Sequence, residues 1–274
     1  MINVTQFVKP DSLPSALEEL NREGSIALAG GTSLSLSKSK KYTKVVNLSN
    51  LTELKKIETK NNRLEIGAMV SMTQLAEVED SPFPILRKTA SSIYSTAIRN
   101  MTTVGGEIAK GVYWVDLPVT LLALDTQVLL QNSSSSRTVA LSEIYNSHPS
   151  KFINSNELIT KIFIPLQKST SSFHKFTKTQ VDYVLASAAG KAVKDGNIIK
   201  QINLSIGGVT PLPCLLPQVS SQLVGKKITD EIIEEVSTEC CKEIKFKPDF
   251  RASTEYQKSL IKVMISRVLQ DLQS

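Results

Sequence analysis

Two glycine pairs constrain this chain more than anything else in it. One lies in Ala29-Gly30-Gly31-Thr32-Ser33-Leu34 and the other in Thr102-Thr103-Val104-Gly105-Gly106-Glu107-Ile108-Ala109, each beside a short apolar run. Glycine lacks a Cβ, so its backbone takes positive φ and lets a ligand come close. Successive exposed amides in such turns form concave anion sites. One pair follows a predicted strand and the other a predicted helix, and together they point to a bound molecule with a diphosphate. Neither pair carries the G-x-G-x-x-G fingerprint with an acidic residue about twenty positions on, and there is no G-x-x-x-x-G-K-[ST]. A diphosphate would therefore lie between two separated loops, which suits an extended dinucleotide such as FAD, with Thr32, Ser33 and Thr103 adding hydroxyl donors. The competing reading is that both pairs make tight turns and nothing more.

At 274 residues the chain can bury two cores, since single cores stop growing near ~250 residues. No apolar run approaches the ~20 residues of a membrane span, and the polar start Met1-Ile2-Asn3-Val4-Thr5 does not resemble a signal peptide. A cytoplasmic protein is expected. The net charge of +6 permits an acidic partner, but the lysines are dispersed. The one dense cluster, Lys38-Ser39-Lys40-Lys41, has only Tyr42 as a stacking aromatic, so it reads as solvated surface and no nucleic-acid partner is expected. Cys214, Cys240 and Cys241 show neither zinc nor disulfide spacing. They are also too few for an iron–sulfur cluster, which takes about four thiolates. With His148 and His174 as the only histidines, a multi-histidine metal site is excluded.

The first fifty residues read helix, strand, glycine loop, strand. Ser12 is placed as an N-cap, Leu13, Ala16, Leu17 and Leu20 share a helical face, and Gly24 follows the helix. Ile26 to Ala29 and Val45 to Leu48 are the strands. From Lys55 onward, Arg63 to Ala68 alternates as a strand, with helices predicted at 72 to 80 and 83 to 95. Asp116 is placed at the N-cap of a helix through Leu124, with Pro118 in its first turn. Strands at 126 to 131 and 136 to 140 flank a serine-rich hairpin tip, and Leu158 to Ile164 is a further strand. The Ser/Thr-rich stretch 167 to 172 marks a domain boundary. Beyond it come strands at 173 to 178, 183 to 193 and 197 to 207, the last two joined by Asp195-Gly196, a hairpin signal. Helices are expected at 217 to 224, 229 to 243 and 253 to 272, packed on one face of the sheet.

Several ordered motifs carry a resemblance. Ala29 to Leu34, Ile98 to Ala109 with Asp116 at its present distance, Lys175 to Asp182, Gly207-Gly208-Val209 with Pro213, and Asp249 to Tyr256 are similar to the FAD-binding medium subunit of molybdenum hydroxylases. This is the family of xanthine dehydrogenase and carbon monoxide dehydrogenase flavoproteins, and the likeness runs nearly end to end. It implies an α+β chain. A two-subdomain FAD-binding unit of the vanillyl-alcohol oxidase (PCMH) type would occupy 1 to 168, divided near 54. A smaller domain with a three-stranded antiparallel sheet and helices would occupy 173 to 274. The resemblance further implies that Leu28, Ala29, Gly30, Gly31, Thr32, Ser33 and Leu34 wrap the pyrophosphate. Thr103, Gly105, Gly106 and Glu107 would face the same cofactor from the second subdomain, with Ile93 near the ring. Asp116 would accept from a hydroxyl of the sugar or ribityl part, Ile159 would contribute a backbone contact, and Lys175 would lie close to the flavin.

Plainer readings stand beside these. Asp116 also makes sense as a helix cap, Lys175 as an exposed strand residue, and Ile93 and Ile159 as core positions. Two departures from the family pattern matter: Glu107 stands where relatives more often carry Asn or Asp, and Tyr113-Trp114 stand where small residues are commoner. Trp114 and Tyr113 would cover either the cofactor or a partner.

By the resemblance, the chain is an oxidoreductase subunit with no catalytic side chain of its own. It would work with a molybdopterin-binding large subunit and a small subunit bearing [2Fe–2S] centres, passing electrons through FAD to an external acceptor such as NAD. A stand-alone flavin oxidase and a non-enzymatic basic adaptor are the alternatives.

Overall fold

The computed structural model describes residues 4–34 and 41–273. Lys38 to Lys40 of the basic cluster thus lie outside the described residues. In chain order the elements begin with β1 (Gln6–Val8), α1 (Leu13–Leu20), β2 (Ser25–Leu28), β3 (Lys44–Asn47), β4 (Ile57–Lys60), β5 (Arg63–Gly67) and α2 (Met72–Glu77). They continue through α3 (Pro84–Ser91), α4 (Thr96–Met101), α5 (Val104–Lys110), α6 (Leu117–Ala123), β6 (Gln127–Gln131), β7 (Ser136–Ala140), α7 (Leu141–Tyr145), α8 (Pro149–Phe152) and β8 (Leu158–Pro165). The last elements are β9 (Thr170–Phe176), β10 (Ala186–Asp195), β11 (Ile198–Gly207), β12 (Cys214–Leu215), α9 (Pro217–Leu223), α10 (Asp230–Glu243) and α11 (Thr254–Gln273). These elements form two units: one of Met1–Glu79, Ser95–Gly111 and Thr126–Ile164, the other of Asp80–Tyr94, Val112–Asp125 and Pro165–Ser274.

In the first unit, α1 starts where its sequence directs. The Ser12 side chain accepts from the Ser15 amide, Pro14 lies in the first turn, and Ala16, Leu17 and Leu20 are buried. They pack with Val46, Leu48, Leu51 and Leu54 in one apolar cluster. A three-stranded sheet orders β1, β3 and β2, with β3 pairing in parallel to both neighbours. A second, five-stranded sheet runs β4-β5-β8-β6-β7. The β6–β7 tip is tied by Asn132, whose Oδ1 accepts from the amides of Ser134 and Ser135 at 2.9 and 2.8 Å. The β4–β5 hairpin, which the sequence reading passed over, turns on Asn61 and Asn62 with φ of 51° and 55°. Asparagine enters this left-handed region readily, and two such residues match a type I′ turn.

The helix expected at 83 to 95 ends at Ser91, and α4 starts separately after Ser95, whose side chain accepts from the Ile98 amide. The segment's last residue thus caps the next helix and does not continue the first. The second glycine pair is a larger correction: Gly105 and Gly106 are not in a turn but in the first turn of α5.

In the second unit, β9, β10 and β11 form the expected antiparallel sheet, and the two-residue β12 adds a fourth strand at its edge. Helix α11 buries Leu260, Ile261, Met264, Ile265, Val268 and Leu269 in a cluster with Ala188, Leu204 and Ile206 of the sheet. The other sheet face is covered too, by α6, against the expectation of helices on one face only. Alternation explains this. Ser205 Oγ donates to Val119 O at 2.6 Å, Asn203 Nδ2 to Ala123 O at 3.3 Å, and a Cβ on Gly207 would meet Val119 Cγ2 at 2.6 Å. Small and polar residues at 203, 205 and 207 let a helix lie flat on that face. Within α10, Cys240 is buried and Cys241 half-buried, with Cys240 Sγ 3.1 Å from Ser237 O and Cys241 Sγ 3.8 Å from Lys258 O.

Candidate functional site

The first unit contains a cavity of about 520 Å³. It is lined by Leu28, Ala29, Gly30, Gly31, Thr32, Ser33 and Leu34 on one side and by Thr103, Gly105, Gly106 and Ile159 elsewhere in its wall. Segments distant in sequence thus share one hollow. Glu107 is not among the lining residues; it is buried at 5% exposure, with Lys110 Nζ 3.8 Å from its Oε1. Ile93, Asp116 and Lys175 belong to the second unit.

The two glycine pairs do different things. A Cβ on Gly30 would sit 1.3 Å from the Met101 carbonyl oxygen, so glycine there allows backbone to lie against backbone. Gly31 has φ +77°, the conformation expected of a turn glycine. Among the described residues, nothing accepts a hydrogen bond from the amides of Gly30, Gly31, Thr32 or Ser33. Such a run of unpaired donors lining a cavity is what an anionic group requires. The second pair offers no such run. Gly105 N donates to Ala68 O at 2.8 Å, Gly106 N to Thr103 Oγ1 at 3.2 Å and Glu107 N to Thr103 O at 2.9 Å. Among the described residues, then, there is no second cradle of free amides, because Ala68 O takes one of these donors and Thr103, at the helix cap, takes the others. Glycine at 105 instead serves close packing, since a Cβ would meet Ala68 Cβ at 2.8 Å. Thr103 accepts with its oxygen and keeps its own proton to donate.

The sequence reading missed part of the wall: Tyr42, Met69, Met101, Lys110, His148 and Glu157. No local pattern marks them, although Gly111, with φ +57°, ends α5 directly after Lys110. Glu157 brings little net charge, because Arg137 holds its two oxygens at 2.7 and 2.8 Å. That guanidinium bonding keeps the Glu157 carboxyl below its usual range.

In the second unit, Asp116 stands at the N-cap position of α6 but its side chain caps nothing, which removes the plainer reading of it. Its Oδ2 accepts from Lys175 Nζ at 2.9 Å, and Lys175 also donates to Ser92 O at 2.8 Å. Lys175 is therefore a partly buried ion-pair partner and not a free surface lysine. Among the described residues, nothing hydrogen-bonds the buried Oδ1 of Asp116. Burial raises the Asp116 pKa, against the pull of Lys175. An orphaned carboxylate oxygen calls for a donor from outside the chain, as a ligand hydroxyl would be. Ile93 is half-buried.

Tyr113 is held within the same unit. Its hydroxyl donates to Asp249 Oδ2 at 3.1 Å, and the Arg251 guanidinium lies 5.0 Å from its ring centroid. Trp114 stacks edge-on to Tyr113 at 4.7 Å and tilts over Tyr183 at 5.3 Å.

The unpaired amides and the backbone approach at Gly30 fit a dinucleotide cofactor in the first unit's cavity, and comparison with known proteins says which. Residues 3–167 match the family described as FAD binding domain in molybdopterin dehydrogenase, and residues 171–272 match the CO dehydrogenase flavoprotein C-terminal domain. The class is thereby an FAD-binding oxidoreductase subunit. Similar proteins include the glyceraldehyde dehydrogenase medium chain of Sulfolobus acidocaldarius, 28% identical, with 97% of each chain covered. The carbon monoxide dehydrogenase medium chain of Hydrogenophaga pseudoflava is 24% identical, over 96% of this chain and 95% of that one. The fold matches a chain of quinoline 2-oxidoreductase from Pseudomonas putida 86 with a TM-score of 0.90 at 23% identity, covering 98% and 96% of the two chains. The chain belongs to the family of FAD-binding medium subunits of molybdenum hydroxylases, and FAD is its cofactor. Among the described residues no helix is long and apolar enough to cross a membrane.

Proposed function

We propose that this chain is the electron-transferring station of a molybdenum hydroxylase. It would receive electrons from the [2Fe–2S] centres of a small subunit, in a complex with a molybdopterin-binding large subunit. Electrons would leave to an external acceptor such as NAD, in the cytoplasm. Bound FAD supplies the conversion between single-electron arrival and two-electron delivery. The chain's residues bind and orient it. The observation that carries the reading is the run of unpaired amides from Gly30 to Ser33 in a cavity shaped by glycines.

Those amides, with the hydroxyls of Thr32, Ser33 and Thr103, are the proposed diphosphate donors. Leu28, Ala29, Leu34 and Ile159 give an apolar wall, and Gly105 and Gly106 keep side chains out of it. Asp116 would accept from a cofactor hydroxyl through Oδ1, with Lys175 fixing the carboxylate; its role and those of Lys175 and Ile93 rest on family likeness. That the relatives above are named medium chains supports partnership with other subunits.

An absorbance spectrum of the purified full chain, after incubation with FAD, tests the cofactor assignment. Flavin bands retained through gel filtration are expected, and their absence would overturn it. Co-purification from the native host should bring one larger and one smaller subunit. Loss of both partners alongside a flavin-loaded chain that small substrates reduce directly would overturn the relay.

A further inference from the structure

Glu107 places a carboxylate next to the glycine pair, where it would repel phosphate, yet the structure gives it a different task. Lys110 lies three residues on, on the same face of α5, with Nζ 3.8 Å from Glu107 Oε1. That distance is too long for a hydrogen bond, and no described residue accepts one from Nζ. The ammonium is held near an acid with its three donors unused. Glu107 is buried behind the wall, whereas Lys110 lines the cavity, its side chain 20% exposed. Among the described lining residues, Lys110 is the only lysine or arginine. The other charged one, Glu157, is neutralised by Arg137. A dinucleotide's diphosphate carries about two negative charges, and amide dipoles do not cancel them in a partly dry site.

We propose that Lys110, kept at the cavity wall by Glu107, donates to the diphosphate of the bound dinucleotide, with Glu107 as its positioning residue. The inference rests on the FAD reading above. It also accounts for the departure at position 107: the longer acid retains a cation that reaches the ligand in its place.

The test uses the full chain without flavin and ADP as probe, with adenosine as the uncharged control, by calorimetry at low and moderate salt. Lys110→Gln should weaken ADP binding about tenfold, the scale of one charge-assisted contact, and flatten its salt dependence, while adenosine binding stays as in the wild type. Lys110→Arg should keep ADP affinity within about threefold. Glu107→Gln should weaken ADP binding when Lys110 is present and change nothing beside Lys110→Gln. Should Lys110→Gln not fold, the wild type decides, since ADP bound no more tightly than adenosine overturns the inference. Wild-type protein that binds FAD while Lys110→Gln leaves ADP affinity unchanged overturns it alone. A gain in ADP affinity from Glu107→Gln overturns the positioning role. Wild-type protein that binds neither FAD nor ADP overturns the FAD reading and this inference with it.

Discussion

Gly30→Ala adds a single methyl group and should be among the most damaging small changes in the first unit. The new Cβ would lie 1.3 Å from the Met101 carbonyl oxygen and 2.5 Å from its carbon. Ordinary carbon–oxygen contacts begin near about 3.3 Å, so the loop and the end of α4 must part by about 2 Å. Overpacking costs about 1–3 kcal/mol where side chains can give. Here both sides are backbone, so about 3 kcal/mol or more is expected, together with loss of the cavity's shape. Gly106→Ala is the internal control. Its Cβ would meet only the Thr103 hydroxyl, at 2.9 Å. Losing that cap costs about 1 kcal/mol, and alanine in place of glycine in a helix returns about 1 kcal/mol, so the net change should be close to zero. Urea denaturation followed by far-UV circular dichroism gives the stabilities, and quenching of flavin fluorescence gives FAD affinity. The reasoning is refuted if Gly30→Ala falls within about 0.5 kcal/mol of the wild type, or if Gly106→Ala is equally harmful.

Two further predictions concern charge. Lys175→Met leaves the buried Asp116 carboxylate without its counter-charge and should cost about 3 kcal/mol near neutral pH. Because burial raises the folded Asp116 pKa above its ordinary 3.8, this group's contribution to stability is fully present below that value and lost as pH rises through the folded one. The deficit of Lys175→Met should therefore shrink on acidification toward about pH 4, and a deficit constant with pH would sink the argument. Glu157→Gln removes the bidentate pair with Arg137, whose side chain is 39% exposed, so about 1 kcal/mol is expected after allowing for solvent screening. The Glu157 pKa is depressed, so its stabilisation is present above 4.5 and lost as pH falls through the folded value; urea midpoints of the two proteins should converge in acid.

Where a fold signal is local, it was legible. Ser12 begins α1, Asn132 closes the β6–β7 hairpin, and Gly196, with φ +57°, joins β10 to β11. What failed lacked such a signal or carried a competing one. Strand β1 is three residues long and mostly exposed, with no alternation to read. The segment 83 to 95 is helical in periodicity, but α3 stops at Ser91 and Ser95, the segment's last residue, caps the next helix. The cover that α6 gives the second face of the β9–β12 sheet follows from small residues on one side of β11, a pattern that looks like weak strand until a helix is found lying on it.

The sequence by itself determined the family, the cofactor and most of the elements, because ordered motifs at fixed separations and short-range capping rules both live along the chain. Tertiary structure alone decided how the two glycine pairs differ. In one, Gly30 lies against Met101 and the following amides stay unpaired; in the other, helix α5 and Ala68 use the amides. It also turned Asp116 away from its helix toward Lys175 and set Glu107 behind Lys110. The reason is physical: hydrogen-bond satisfaction and steric approach are properties of groups that meet in space, and residues such as Gly30 and Met101 are brought together only by folding.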